Sequence, residues 1–399
     1  MADSPTAGVP RGAEPSYALD TLAVHAGAPA RSAGQPVVPP IVQSATFFWG
    51  EPSDGELRYS RYGNNPNQEL LGRKIAALEG MEAGMALGSG MAAITMPLLA
   101  LTRSGDHILA SSSLYGATRT LLEDELPLRG VDTTFVDLDD GRAWRESIRP
   151  DTRVAYIELP TNPDLRLVDP RPLAGLCHDA GLTLMCDATF ASPMNLRAAD
   201  LGIDVVVHSA TKYLGGHSDL IAGVVAGPRA LVDEATRIAR LYGPALDPHA
   251  AWLLDRGLRT LGLRMERHNR NAEVLARWFS GRQEVERVIH PGLPDHPDHE
   301  LAAELLSGWG GMVSLVLGGG DAAADRFAGA LRLAGVAPSL GGVETLVSQP
   351  RHTSHRGRTS EELARMGIPP GFVRLSVGVE DVEDLKEDFR RGLEAAAGA

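Results

Sequence analysis

Short apolar runs without period-two alternation recur between residues 106 and 226. Runs of this length with no polar face are typical of strands that are covered on both faces. Between them, residues 170–180 place apolar side chains on one helical face, with Asp169 as N-cap and Gly181 after the last turn. This alternation predicts an α/β fold, a mostly parallel sheet with helices on both faces. The predicted strands are residues 106–110, 133–136, 154–159, 182–186, 205–208 and 222–226.

The pattern changes after about residue 250. A long amphipathic helix is predicted over residues 264–280, and the shorter elements that follow favour a smaller C-terminal α+β domain. We therefore divide the chain into an N-terminal tail and arm (residues 1–60), an α/β domain (61–255) and a C-terminal α+β domain (256–399). Further helices are predicted at residues 68–79, 321–333 and 381–393, and further strands at 312–317 and 372–376, whereas the turn residues of 59–67 predict a loop.

Composition favours a globular protein of the cytoplasm. The 399 residues are 43% hydrophobic, enough to bury two or more layers of structure. A net charge of -13 without a long run of either sign argues against a nucleic-acid surface or a polybasic membrane patch. Cys177 and Cys186 lack the spacing of a zinc site, and the apolar stretch 91–101 is too short to span a bilayer. Residues 1 to about 18 have no apolar core and predict a tail, not a signal peptide.

Polar residues follow the carboxyl ends of the predicted strands, where ligands bind in doubly wound sheets. In addition, Ser89 and Gly90 open a helix whose first N–H groups can hold an anion. Each residue alone has an ordinary explanation, such as a helix cap, a packed tyrosine or a surface ion pair. Together, a lysine, an aspartate, hydroxyls and an anion-binding helix start are the parts that a pyridoxal-phosphate enzyme requires. The strand-end residues are Tyr115, Asn162, Asp187, Ser209, Thr211 and Lys212.

Ordered motifs extend over nearly the whole chain. They are Leu22-Ala23-Val24-His25-Ala26-Gly27, Ser89-Gly90-Met91, Tyr115-Gly116, Thr161-Asn162-Pro163, Ser209-Ala210-Thr211-Lys212-Tyr213, Arg259-Thr260-Leu261-Gly262-Leu263-Arg264-Met265-Glu266-Arg267-His268, Ser339-Leu340-Gly341-Gly342-Val343-Glu344 and Arg374-Leu375-Ser376-Val377-Gly378-Val379-Glu380-Asp381. In these motifs the chain resembles the trans-sulfuration, or Cys/Met-metabolism, family of pyridoxal-phosphate enzymes. The resemblance implies PLP-dependent transferase fold type I, pyridoxal 5′-phosphate as cofactor, and a homotetramer built as a dimer of dimers with shared active sites.

The resemblance also implies the roles of the site residues. Lys212 would form a Schiff base with the cofactor and later move protons as an acid and base. Asp187 would pair with the pyridine nitrogen, Tyr115 would stack on the ring, and Asn162 would bond the O3′ side. The substrate carboxylate would bind Arg374, with Ser339 supporting that end of the site. The phosphate would bind Gly90, Met91, Ser209 and Thr211, with Tyr59 and Arg61 reaching over from a neighbouring subunit.

The same resemblance implies a reaction of sulfur amino acid metabolism. The leading hypothesis is a carbon–sulfur lyase that carries out γ-elimination on methionine or cystathionine, giving 2-oxobutanoate, ammonia and a thiol. The alternative is a γ-replacement enzyme, either a cystathionine γ-synthase or an O-acylhomoserine sulfhydrylase. A non-catalytic binding protein that keeps the fold is the third hypothesis, and the intact set of Lys212, Asp187, Tyr115 and Arg374 argues against it.

Several positions depart from the family's subtypes. Members that act on cystathionine usually carry arginine where this chain has Thr120, although Arg119 is one place earlier. They often have an acidic residue at the position of Arg58, and methionine γ-lyases typically have cysteine at the position of Ala117. One extra residue in 62–64, between Arg61 and Asn65-Pro66, also departs from the family and bears on the reach of Arg61. The segment His352-Thr353-Ser354-His355 also departs from the family, while Glu344 is shared by several subtypes.

Overall fold

The computed structural model describes residues 17–29, 32–50, 56–353 and 367–398, together with Gly357, Thr359, Glu361 and Leu363. Most of the predicted tail, and Ser354 and His355 of the departing segment, lie outside the described residues. The helices are α1 (Leu19–His25), α2 (Pro66–Glu79), α3 (Gly90–Leu101), α4 (Gly116–Thr120), α5 (Gly141–Glu146), α6 (Pro170–Asp179), α7 (Ser192–Asn195), α8 (Arg229–Tyr242), α9 (Pro248–Leu258), α10 (Leu261–Ser280), α11 (His299–Leu305), α12 (Gly320–Ala330) and α13 (Val382–Ala396).

The strands form two sheets. They are β1 (Ala83–Leu87), β2 (His107–Ser111), β3 (Asp132–Val136), β4 (Thr152–Glu158), β5 (Thr183–Asp187), β6 (Val205–Ser209), β7 (Gly223–Gly227), β8 (Val285–Ile289), β9 (Met312–Leu317), β10 (Gly335–Val336), β11 (Leu346–Ser348) and β12 (Phe372–Ser376). The larger sheet has the order β1-β7-β6-β5-β4-β2-β3. It is parallel except at β7, which runs antiparallel to both of its neighbours. The predicted mostly parallel sheet is therefore confirmed.

Both faces of the large sheet are covered, as its unbroken apolar strands predicted. One face packs against α2, α6 and α9, and the other against α3 and α8. The second sheet, β10-β11-β12-β9-β8, forms a separate core with α10, α12 and α13. Among the described residues, no helix combines the length and the apolar character needed to cross a bilayer.

Local patterns located most elements but missed some of their ends. The two strands predicted at 312–317 and 372–376 have those bounds. The loop prediction for 59–67 is wrong in part, because Ser60–Tyr62 form a 3-10 turn and α2 already begins at Pro66, where Asn65 and Gln68 make a capping box. Helix α12 ends three residues before the predicted end, since the Asp388 carboxylate accepts the next backbone N–H groups, those of residues 332–334. Strand β1 was not predicted at all.

Candidate active site

The carboxyl ends of three neighbouring parallel strands bring the predicted residues to one edge of the sheet. Glu158 at the end of β4 is paired in register with Asp187 at the end of β5, and β6, which ends at Ser209, is the next strand along. Gly90 at the start of α3 lies against this edge, because a Cβ built there would be 2.7 Å from the Cβ of Ser209. Side chains that are distant in sequence therefore meet where strand order and helix packing place them.

The beginning of α3 has the geometry of an anion site. Ser89 is its N-cap, and its hydroxyl accepts the N–H of Ala92 at 3.1 Å. The first N–H groups of a helix, here those of Gly90 and Met91, have no acceptor within the helix, and the helix dipole adds partial positive charge. The Thr211 hydroxyl, two residues after Ser209, donates to the carbonyl of Ala222 and accepts its N–H. This arrangement fits a phosphate group.

Asp187 is a buried carboxyl at the centre of the edge, 6% exposed. Its Oδ1 accepts both the N–H and the hydroxyl of Thr189, at 2.9 and 2.5 Å. Burial raises the pKa of Asp187, and the two bonds from Thr189 act against that rise. A cationic partner, such as a protonated pyridine nitrogen, would favour the ionised form of Asp187.

Glu158 is a second buried carboxyl that the sequence prediction missed. Its Oε2 accepts the backbone N–H of Tyr115 at 2.8 Å, and this contact holds the start of α4 against the strand end. The Tyr115 side chain remains 42% exposed. Burial first, and then the charge of Asp187, raise the pKa of Glu158 well above its ordinary value. The available signal was an acidic residue closing an apolar strand in Tyr156-Ile157-Glu158, next to the strand that ends in Asp187.

Lys212 and Arg374 meet at Ser339. The Lys212 amine donates to Ser339 Oγ at 2.7 Å, and an Arg374 Nη donates to the Ser339 carbonyl at 3.4 Å. Burial, and then the charge of Arg374, lower the pKa of Lys212 to about 8. Ser339 has a φ of 99°, a conformation that non-glycine residues adopt at a cost of about 1–3 kcal/mol. The lysine therefore lies in a constrained pocket beside a cation, and the pKa of its amine is close to neutral pH.

Arg374 is buried without a counter-ion. One Nη donates to Asn162 Oδ1 at 3.1 Å, its Nε has no hydrogen-bond partner, and none of the ion pairs between described residues includes it. Burial lowers the pKa of Arg374 to about 10, so the guanidinium remains charged near neutral pH. An unpaired buried charge is costly, and a carboxylate would bind it as a bidentate fork. Asn162 thus touches the arginine in this structure.

Tyr59 and Arg61 do not join this cluster within the chain. The Arg61 guanidinium donates to the carbonyl of Arg240 on α8 and lies over the rings of Tyr59 and Tyr62, 5.3 and 5.1 Å from their centroids. It borders a cavity of about 280 Å³ between α2, β1 and α8. None of these contacts involves the residues that meet at Ser339 and Ser209.

The two departing arginines are already engaged. Arg119 pairs with Glu123 at 3.1 Å, donates to the Ser112 carbonyl and stacks on Phe135, with its guanidinium carbon 4.2 Å from the ring centroid. Arg58 is 3.3 Å from Glu69 and also lies over an aromatic ring. Arg119 consequently does not take the place of an arginine at position 120.

Comparison with known proteins finds similar sequences and structures over nearly the whole chain. The model of the Cys/Met metabolism PLP-dependent enzyme family matches residues 20–394. The chain is similar to an L-methionine γ-lyase of Pseudomonas putida, with 43% identity over 94% of this chain and 97% of the relative. It is also similar to an O-succinylhomoserine sulfhydrylase of Pseudomonas aeruginosa, with 40% identity over 95% of this chain and 96% of the relative. The crystal structure of a cystathionine γ-lyase from Lactobacillus plantarum complexed with L-serine has a TM-score of 0.91, at 35% identity, over 96% of this chain and all of that one.

Proposed function

Because this chain belongs to the Cys/Met metabolism family of PLP-dependent enzymes, we propose that it is a carbon–sulfur lyase that removes the γ-substituent of methionine or cystathionine. The products are 2-oxobutanoate, ammonia and a thiol. One observation carries the proposal: the Lys212 amine and the unpaired Arg374 guanidinium are both held by Ser339. An α-amino acid carries its acidic α-proton next to a carboxylate, so a base beside a carboxylate-binding arginine suits it.

The residues divide the binding of the cofactor among them. Asp187 would hold the protonated ring nitrogen, and the start of α3 with Ser209 and Thr211 would hold the phosphate. The exposed ring of Tyr115 would stack on the pyridine ring. When bound, pyridoxal phosphate withdraws electrons from the α-carbon of the amino acid and stabilises the negative charge there.

Proton transfer is the task of Lys212. Arg374 binds the α-carboxylate as a fork and thereby fixes the α-carbon next to the lysine. The Nζ of Lys212 takes the α-proton, which requires the uncharged amine, and burial beside Arg374 makes that form accessible near pH 8. The hydroxyl of Ser339 keeps Nζ on this side of the site, and the phenol of Tyr115 assists the transfer.

The engaged Arg119 favours methionine over cystathionine. The distal part of cystathionine carries a carboxylate, whereas methionine ends in an uncharged thioether. Since Arg119 is bound to Glu123 and Ser112, this segment offers no arginine for a distal carboxylate. The γ-replacement reaction remains the second candidate, because the same cofactor residues serve it and a sulfhydrylase is among the relatives.

The proposal extends to a cytoplasmic homotetramer in which two subunits complete each site. Arg61 and Tyr59 lie together at the surface near α8, away from their own chain's Lys212. Exposed apolar side chains accompany them, and such clusters mark protein–protein contacts. These side chains are Phe48, Trp49, Leu241 and Tyr242.

A product assay tests the reaction. Purified protein loaded with pyridoxal phosphate is given methionine, cystathionine, cysteine or O-succinylhomoserine, each with and without an added thiol. We expect 2-oxobutanoate and ammonia from methionine in the absence of a second substrate, and none from the Lys212→Ala variant. Activity only with O-succinylhomoserine plus a thiol would replace the lyase by the γ-replacement enzyme. Cofactor binding without any product would leave the non-catalytic binding protein.

A further inference from the structure

We propose that Arg264, at the start of α10, is a positioning residue for Lys212: its guanidinium fixes the backbone of the turn that follows the lysine. The inference rests on the proposed role of Lys212 as the base. Arg264 belongs to α10, the helix that precedes the second sheet in the chain, and it is distant in sequence from the strand ends that carry the cofactor residues.

The guanidinium of Arg264 binds backbone carbonyls instead of an acid. Its Nη1 donates to the Tyr213 carbonyl at 2.6 Å, and its Nη2 to the carbonyls of Gly257 and Leu214 at 2.8 and 3.4 Å. Nε donates to the Thr260 hydroxyl at 3.2 Å. The side chain is 6% exposed, and no ion pair between described residues includes it. One planar group thus ties the end of α9 to the two residues after Lys212.

Glycines make the space for this contact. Gly216 has a φ of 73°, and a Cβ built on it would be 2.0 Å from Nη1 of Arg264. A Cβ on Gly257 would be 2.4 Å from the Gly215 carbonyl. The turn and α9 therefore approach each other at backbone distance, and the guanidinium fills the space that the absent side chains leave.

A buried charge without a counter-ion is unfavourable, so packing alone does not account for an arginine here. Methionine or leucine would fill a similar volume without the desolvation cost of a cation. What arginine supplies is a rigid fork of donors that can hold several carbonyls at once. Burial lowers the pKa of Arg264 to about 10, which still leaves it charged near neutral pH.

The turn that Arg264 holds is the one that carries Lys212. The N–H of Lys212 donates to the Ser209 carbonyl at 3.1 Å, and its carbonyl accepts the N–H of Gly216 at 2.8 Å. The next side chain, Tyr213, is fully buried and packs edge-on against His268, 5.2 Å between ring centroids. Because the carbonyls of residues 213 and 214 are anchored on Arg264, the lysine backbone cannot shift without breaking these bonds. The reach of Nζ to Ser339 depends on that anchor.

Two variants of Arg264 test the proposal. Arg264→Met keeps the apolar stem and removes every donor, while Arg264→Lys keeps the charge and loses the fork. We expect kcat to fall about 10²-fold, as misplacement of a reacting group by about 1 Å does, with a smaller change in KM. The pH midpoint of the visible absorption band of the Lys212-bound cofactor shifts, and the dissociation constant of pyridoxal phosphate rises. Arg264→Lys carries the same test if Arg264→Met does not fold.

Two controls separate positioning from a general loss of stability. Arg267→Met changes an exposed arginine one turn further along α10 and should leave all four quantities unchanged. Asp388→Asn replaces one oxygen of a buried carboxylate that accepts three N–H groups in the second domain, so it should lower Tm without moving the pH midpoint. Arg264 variants that lower Tm but keep the wild-type midpoint and dissociation constant would overturn the positioning role. By contrast, a Lys212→Ala variant that keeps the visible band would overturn the proposed role of Lys212 itself.

Discussion

Lys212 and Arg374 place two basic groups on one serine, and the arginine affects the pKa of the lysine. Since the positive charge of Arg374 disfavours a second cation nearby, it helps to lower the pKa of Lys212 to about 8. The same arginine has no carboxylate partner among the residues that the structure describes. Binding of a substrate carboxylate would satisfy Arg374 and weaken its effect on the lysine.

Replacing Arg374 should therefore raise the pKa of Lys212. In Arg374→Met the amine loses its cationic neighbour, so its charged form becomes more favourable and its deprotonation moves to higher pH. The measurement is the pH dependence of the reaction of Lys212 with an acylating reagent in cofactor-free protein. Arg374→Lys, which keeps the charge, is the control and should keep a midpoint near 8. A lower midpoint in Arg374→Met would contradict the electrostatic argument.

In the assay, the same substitution should reduce kcat/KM for methionine strongly. Loss of one partner of a buried charge pair costs about 2–5 kcal/mol, roughly 30- to 5,000-fold. Most of this loss should be in KM if Arg374 binds the substrate equally throughout the reaction.

Glu158 is expected to tolerate replacement by an uncharged amide. Burial and Asp187 raise its pKa well above its ordinary value and so disfavour the charged form, and Glu158→Gln should keep kcat within about twofold while preserving the acceptor for the Tyr115 N–H. Glu158→Ala leaves that N–H without a partner, at a cost of about 1–3 kcal/mol. The quantities to compare are kcat and the dissociation constant of pyridoxal phosphate. If Glu158→Gln proves as damaging as Glu158→Ala, a negative charge at this position is required.

Helix α3 contributes the backbone N–H groups of its first turn to the anion site, and not a side chain. Gly90 lets this helix approach β6, where a methyl group would be 2.7 Å from the Cβ of Ser209 and 2.8 Å from its hydroxyl oxygen. The helix and the strand therefore share one anion site. Gly90 has only a hydrogen atom where other residues have a side chain, and this allows the close spacing between α3 and β6.

The Gly90→Ala variant should weaken cofactor binding. The added methyl group must move α3 away from Ser209 by a few tenths of an ångström or more, which separates the two halves of the anion site. We expect the dissociation constant of pyridoxal phosphate to rise at least about tenfold, equal to about 1.4 kcal/mol. In Gly175→Ala, the methyl group on α6 meets no atom within 4 Å, so this control should keep the affinity. Unchanged affinity in Gly90→Ala would argue against a phosphate at this helix.

At the scale of the whole molecule, one chain supplies an incomplete set of the predicted cofactor residues. Lys212, Asp187, Ser209 and the start of α3 are at one edge of the sheet, while Arg61 is bound to the carbonyl of Arg240 on α8. Its surface position fits a contact with a second subunit, in which case assembly and catalysis are linked.

Complementation tests this shared site. Arg61→Ala and Lys212→Ala subunits, each inactive or impaired alone, are unfolded together and refolded as a mixture. In a mixed dimer one of the two sites has both native residues, so the mixture should recover activity that neither parent shows. A mixture with no more activity than its parents would mean that Arg61 serves its own chain or no active site.

Features that depend on neighbouring residues could be predicted from the sequence alone. Short runs rich in apolar residues located β9 and β12 with their observed bounds, and residues such as Asp169 and Gly181 marked the ends of α6. The motifs around Lys212 and Arg374 were sufficient to predict the cofactor and the family. Strand β1 escaped prediction because Ala83-Gly84-Met85-Ala86-Leu87 is poor in β-branched residues, and its place beside β7 depends on pairing across the sheet.

Contacts between groups that are far apart in the sequence were visible only in the tertiary structure. It placed Glu158 beside Asp187 in register, buried both carboxyl groups, and so raised the pKa of Glu158. It placed Arg119 over the ring of Phe135 and bound Arg264 to the carbonyls after Lys212, and neither contact can be predicted from the spacing of the residues. These outcomes depend on the packing of segments far apart in the chain and on the desolvation that packing imposes. Neither this packing nor this desolvation can be predicted from residue type and spacing.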